Sequence, residues 1–101
     1  MAYVFVREIT FKTLADGARA APLLSQIVKL YKEALDVEVS VARAISGAPN
    51  RVCFVSRVDS LDKWQADAAK IQKDPAFLKV LGEIGPMVDG SKTRDDLWAE
   101  A

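Results

Sequence analysis

Five side chains of this 101-residue chain have the chemistry to hold a small organic molecule: Arg7, Tyr31, Ser56, Trp64 and Trp98. An arginine can grip a carboxylate or an enolate through paired N–H bonds. Tyr31 can donate to a carbonyl, and Trp64 can stack on an aromatic ring. Such groups make a site only where a mostly apolar pocket gathers them. Each also has a plainer reading. Tyr31, Trp64 and Phe77 fall at helical spacing, where aromatic residues are more often core than ligand cage. Arg7 lies towards the end of a strand and can reach solvent or a carboxylate. Cys53, inside a strand, reads as a small inert hydrophobe. Glu83, Asp89 and the pair Asp95-Asp96 read as solvated faces.

What the chain lacks narrows the chemistry further. It contains no histidine, so neither one chain nor a homodimer can assemble a Ser-His-Asp or Cys-His site. Zinc would have to be held by carboxylates and a single cysteine, and the commonest haem ligand is missing. No glycine-rich phosphate loop occurs. No metal and no cofactor is therefore expected. Lysine plus arginine and aspartate plus glutamate number 14 each, for a formal net charge of zero. A nucleic-acid partner is not expected of such a balance. The lone cysteine rules out an intrachain disulfide and gives no sign of an oxidising compartment. Arg7 and Glu8 interrupt the apolar N-terminus too early for a signal peptide or a membrane span. A soluble, cytoplasmic protein is the expectation. Half of the residues are hydrophobic and 28% are charged, as in ordinary globular domains. The length suits one domain spanning 1–101. A domain this small buries only about 60–70% of its unfolded surface, so a partner chain would help it.

The elements that must position these residues are organised around Asn50 to Trp64, NRVCFVSRVDSLDKW. Val52, Phe54, Ser56 and Val58 share one face of a strand. Cys53 and Val55 share the other, beside Arg51 and Arg57. Asp59 or Ser60 caps a helix that Leu61 and Trp64 bury. Ahead of this stretch, Ala2 to Thr10 alternates as a central strand, with Tyr3, Phe5, Arg7 and Ile9 on one face. Asp16-Gly17 signals a turn. A helix follows to about Leu35, with Leu23, Leu24, Ile27, Leu30, Tyr31 and Ala34 as its apolar stripe. Pro22 suits a first helical turn, so the helix starts near Ala21 or is kinked there. Val37 to Ile45 is a second strand, joined to the third through Gly47-Ala48-Pro49-Asn50 as an antiparallel hairpin.

The helix from Leu61 runs to about Gln72. It restarts at Asp74-Pro75, where Asp74 accepts from free N–H groups and Pro75 occupies the first helical position. Phe77, Leu78, Leu81 and Ile84 continue the buried face, and Gly85-Pro86 ends it. Asp89-Gly90 is a turn, and Ser91 to Ala99 a short edge strand rich in charge. Strand, helix, strand, strand, helix, strand is the split-βαβ order of an α+β, ferredoxin-like fold: an antiparallel four-stranded sheet with its helices on one face. The strands are apolar on both faces, so the face without helices needs a cover. A second copy packed sheet against sheet supplies one, as a two-fold dimer. The alternative is a monomer whose tail, with Leu97 and Trp98, folds over the open face.

The runs Asn50-Arg51-Val52, Asp59-Ser60-Leu61, Asp74-Pro75-x-Phe77 and Ile84-x-Pro86-Met87-Val88 resemble the NIPSNAP-like branch of the dimeric α/β-barrel superfamily. The resemblance extends from about Val4 to Leu97. It implies a ferredoxin-like protomer and a dimer whose sheets form a barrel. It also implies a cavity between sheet and helices, because active members bind small organic molecules there. The superfamily includes cofactor-free monooxygenases, haem-degrading enzymes and cyclases, and fold does not choose among them. The chain departs from the family at several places. Phe54, Ser56 and Val58 stand where relatives often carry polar or aromatic residues, including a histidine. Phe5 and Ile9 flank Arg7 where a carboxylate and a tyrosine are usual. The Lys-Pro-Gly turn before the first helix is missing.

Three readings follow. The first is a homodimeric NIPSNAP-like domain that binds a small apolar or aromatic molecule between sheet and helices, with Arg7, Tyr31, Ser56, Trp64 and Trp98 at the pocket. The second is a cofactor-independent monooxygenase or cyclase of the antibiotic-biosynthesis type, whose dry cavity stabilises a substrate anion. The third is a self-associating module without catalysis.

Overall fold

In the computed structural model, which describes residues 2–101, seven main elements follow one another. They are β1 (Tyr3–Thr10), α1 (Leu14–Leu35), β2 (Val39–Arg43), β3 (Arg51–Val58), α2 (Leu61–Ile71), α3 (Pro75–Ile84) and β4 (Arg94–Ala99). Short 3-10 turns at Gly85–Met87 and Gly90–Lys92 join α3 to β4. The strands form one antiparallel sheet in the order β2-β3-β1-β4, with β1 and β3 at its centre. This is the ferredoxin-like α+β arrangement that the element order implied. Among the described residues no helix is long and apolar enough to cross a membrane.

Register decides which side chains meet. Phe5 stands opposite Ser56, Arg7 opposite Phe54 and Ile9 opposite Val52. Across the other edge of β1, Phe5 faces Leu97 and Arg7 faces Asp95. Directly opposed residues share a side of the sheet. One face therefore carries Tyr3, Phe5, Arg7, Ile9, Val52, Phe54, Ser56 and Val58, and the helices cover it. The core forms there from Ile9 and Val52, from Leu24 and Ile27 of α1, and from Phe77, Val80 and Ile84 of α3. The opposite face carries Val4, Val6, Cys53 and Val55. The C-terminal segment does not fold over that face, because β4 pairs with β1 as an edge strand.

The first helix starts earlier than the Asp16-Gly17 signal suggests. Thr13 is its N-cap, its hydroxyl accepting from the Asp16 backbone N–H at 3.0 Å. Asp16 and Gly17 thus lie in the first helical turn, and Pro22 lies inside the helix on its exposed side. Gly17 has a steric reason to be glycine. A Cβ there would stand 3.3 Å from Cδ2 of Phe11, whose side chain is the most completely buried large one. The Asp-Gly pair marks close packing here, not a reversal. Asp16 is itself buried and paired with Arg19.

Phe11 also explains how distant runs of sequence come together. Its N–H donates to the Asn50 carbonyl at 2.8 Å, and the Asn50 side-chain amide donates to the Phe11 carbonyl at 2.5 Å. The Lys12 N–H donates to Met87 O at 2.9 Å and the Asp89 N–H to Thr10 O at 2.8 Å. The Asn-Arg-Val run and the Pro-Met-Val run therefore fasten to the same point, just past the end of β1.

Other boundaries shift as well. β2 is shorter than Val37 to Ile45, and Ile45 lies beyond it, 98% exposed. Ser60, rather than Asp59, caps α2, accepting from the Lys63 N–H at 3.1 Å. Asp74 caps α3 through the Ala76 and Phe77 N–H groups, with Pro75 at its first turn. Leu61, Leu78 and Leu81 are partly exposed rather than core, and Val80 is buried instead. On α3 the buried stripe follows Phe77, Val80 and Ile84, so Leu78 turns away while Leu81 stands at its flank. At Gly85 the chain keeps right-handed dihedrals and tightens into a 3-10 turn, without a left-handed glycine cap.

Candidate functional site

The alternation of β1 sends Phe5, Arg7 and Ile9 towards the helices, and β3 sends Phe54 and Ser56 the same way. Tyr31 and Ile27 descend from α1, and Phe77, Leu81 and Ile84 from α3. Between them lies a cavity of about 370 Å³, bounded otherwise by Val39, Gly85, Val88, Gly90 and Thr93. A second hollow of about 150 Å³ adjoins it. The two share Phe5, Arg7, Tyr31, Ser56, Phe77 and Leu81, and the smaller one is closed by Trp64, Ala68 and Ile71 of α2.

Aromatic contacts hold the walls. Phe5 and Trp64 have ring centroids 5.4 Å apart at 53°. Tyr31 meets Phe77 edge to face, with centroids 5.7 Å apart. Both geometries are favourable for ring quadrupoles. The Arg7 guanidinium lies 5.6 Å from the Phe5 ring centroid, within cation–π range.

Arg7 is tied down by a carboxylate. Its Nε and Nη2 donate to the two Asp95 oxygens at 2.8 and 2.9 Å. That hydrogen-bonded pair is the main cause of the upward shift of the Arg7 pKa, against the opposing pull of burial. The charge is permanent. Burial pushes the Tyr31 phenol above its ordinary range, although Arg7 nearby pulls the other way. Tyr31 is thus a neutral hydroxyl, a hydrogen-bond donor rather than a base. Among the described residues, no group of three or more cysteine, aspartate or glutamate side chains converges as a metal cage would.

The fold gathers Arg7, Tyr31, Ser56 and Trp64 around this space. Trp98 does not join them. It stands opposite Val4, on the face of the sheet away from the helices, and is 61% exposed. One residue of strand alternation separates it from Leu97, which is on the helix side. Asp95, a solvated residue by sequence pattern, is half exposed and is the partner of Arg7. The missing signal was pairing register: only the antiparallel alignment of β4 with β1 sets Asp95 opposite Arg7. Phe54 and Val39 belong to the cavity wall through the other two ladders, Phe54 opposite Arg7 and Val39 opposite Ser56.

A ferredoxin-like α+β domain with an apolar cavity between sheet and helices is the class of protein that fold and site define. No protein-family model matches the sequence, and no curated protein matches it. Solved structures do match it in three dimensions. A NIPSNAP family protein from Agrobacterium tumefaciens superposes with a TM-score of 0.84 at 10% identity, over 100% of this chain and 94% of that one. An uncharacterized NIPSNAP domain protein from Burkholderia xenovorans gives 0.84 at 15% identity, covering 98% and 94%. SnoaB, a cofactor-independent oxygenase from Streptomyces nogalater, gives 0.71 at 12% identity, covering 98% and 92%. The chain shares the fold of NIPSNAP proteins, and the likeness expected from its sequence runs is borne out at that level.

Proposed function

We propose that this chain is a NIPSNAP-like homodimeric domain that binds a small apolar or aromatic molecule between its sheet and its helices. The observation that carries the ligand reading is the 370 Å³ cavity, with aromatic and aliphatic walls and few polar groups, among them Arg7, Tyr31 and Ser56. Its size and composition match small-molecule sites in general. Trp64 bounds the adjoining hollow, where it can stack on a ligand that extends into it. The homodimer is supported by the outer face of the sheet. Val4, Val6, Cys53 and Val55 are only partly covered there, and Trp98 stands exposed beside them. The ion pairs Arg51–Glu8 and Arg57–Glu100 lie on the same face. An apolar centre with a charged rim is the anatomy of an interface. The single Cys53 is in keeping with a cytoplasmic setting.

Native mass spectrometry of gently purified protein tests both parts. A dimer carrying extra mass is the expected result, and it delivers a ligand to identify. A monomer at micromolar concentration removes the dimer. Failure to retain added naphthyl probes removes the ligand site.

One observation favours an enzymatic reading as the second choice. A guanidinium paired with Asp95 and a neutral phenol share one largely apolar cavity, and their N–H and O–H groups can donate to a substrate oxygen on which charge develops during a reaction. The fold shared with SnoaB points the same way. A cofactor-independent monooxygenase predicts oxygen uptake with an aromatic phenol and no added flavin or metal. The absence of uptake across a phenol panel leaves the binding domain or a self-associating module.

A further inference from the structure

The larger cavity has one formal charge on its wall, that of Arg7, and it is already answered; Asp67, on the wall of the adjoining hollow, is answered by Lys63. Arg7 offers five N–H donors in a planar fork. Asp95 takes the Nε edge of the fork through both carboxylate oxygens, at 2.8 and 2.9 Å. The carboxylate is delivered by strand register, Arg7 standing directly opposite Asp95 in the β1–β4 ladder. Backbone pairing thus sets the counter-ion beside Arg7 before any ligand binds. The Nη1 edge of the fork remains able to donate. Tyr31, on the same wall, has its phenol kept neutral by burial, and no hydrogen bond from a described residue contributes to its state.

We propose that Asp95 sets the charge preference of the cavity, making it a site for uncharged, hydrogen-bond-accepting aromatic molecules and against carboxylates. This rests on the reading of the cavity as a ligand site. An aromatic amide or ketone can accept from Arg7 Nη1 and from the Tyr31 hydroxyl without disturbing the ion pair. A carboxylate must either approach Arg7 with Asp95 still in place, against like-charge repulsion, or displace Asp95 and leave it unpaired. Both routes cost binding energy, which is how a built-in repulsive group gives specificity. Asp95 acts through Arg7 and is a positioning residue.

Two probes of one shape and different charge test this: 2-naphthamide and 2-naphthoate, measured by equilibrium dialysis against the purified full chain at neutral pH. The wild-type protein is expected to hold the amide about threefold more tightly than the carboxylate, in keeping with a pair that solvent partly screens. In Asp95→Asn the naphthoate is expected to gain about threefold, because Arg7 is released to grip it. Asp96→Asn is the control. It removes an equal charge from the next position of the same strand, on the other face, opposite Val6. It is expected to leave the ratio unchanged, whereas a shift as large as that of Asp95→Asn would put the preference down to net charge and overturn the proposal. Equal affinity of the wild-type protein for both probes also overturns it, and this arm does not depend on how the variants fold. An unchanged ratio in folded Asp95→Asn does the same. If no form retains either probe, the ligand site itself is withdrawn, and the charge preference with it.

Discussion

Gly17 passes over Phe11 so closely that a Cβ at this position would stand 3.3 Å from the ring. Glycine inside a helix ordinarily costs about 1 kcal/mol relative to alanine. Gly17→Ala is therefore expected to stabilise the chain by less than that amount, or to destabilise it, because the ring of Phe11 cannot retreat through a packed core. In a Phe11→Ala background the contacting Cγ and Cδ2 atoms are gone, and the full helix benefit of about 1 kcal/mol is expected to return. Urea unfolding of the four members of this cycle measures the coupling. Additive effects would mean that Phe11 does not dictate glycine at this position.

Phe11 itself carries the junction between β1, the Asn50 turn and the Met87 segment. Phe11→Ala is expected to lose about 3–5 kcal/mol, the ordinary range for deleting a buried aromatic ring. A loss near 1 kcal/mol in chemical denaturation would show that the backbone bonds to Asn50 and Met87 hold the junction without the ring.

Arg7 separates stability from binding. Its ion pair with Asp95 is nearly half exposed on both sides, so solvent screens most of its worth. Arg7→Ala is expected to change folding stability by about 0–1 kcal/mol. Binding of 2-naphthamide is expected to fall about tenfold, through the lost Nη1 donor and the lost cation over Phe5. Equal binding in the variant and the wild-type protein would remove Arg7 from the site.

Tyr31 predicts a pH dependence at the alkaline end. Burial raises its pKa in the folded chain above the unfolded value, so the folded state holds the phenolic proton more tightly. That contribution to stability is complete below about pH 10, the unfolded value, and is lost as pH rises through the folded one. As pH rises above about 10, the urea midpoint is expected to fall more steeply in the wild-type chain than in Tyr31→Phe. Parallel curves would show that the phenol is as well solvated folded as unfolded.

Val55 lies on the outer face of the central strand β3. Val55→Asp places a charge at the centre of the proposed interface, where desolvation without a partner costs several kcal/mol. Sedimentation is expected to show the wild-type chain at twice its own mass and the variant at its own mass, with unchanged circular dichroism. A variant that remains dimeric would move the interface away from the sheet.

Much of the fold was legible in the sequence because it depends on local pattern. Alternation in Tyr3–Thr10 and Arg51–Val58 marked both central strands. Asp74-Pro75 marked the start of α3, since capping and proline chemistry act within one turn. The order of elements then implied the ferredoxin-like topology. The same local reasoning misread Asp16-Gly17, whose glycine answers to Phe11, a residue six positions back in another segment. It also assigned Leu61, Leu78 and Leu81 to the core, because composition does not say which side of an apolar stripe the sheet will take.

The candidate site divides along the same line. Residue type and parity within a single strand were enough to nominate Arg7 and Ser56 together with Tyr31 and Trp64. Which residue answers the charge on Arg7, and that Trp98 lies on the other face, were decided only by the register between β1 and β4. Register belongs to the pairing of strands some 90 residues apart. A shift of one residue reverses every side chain, so no pattern within either strand alone determines it.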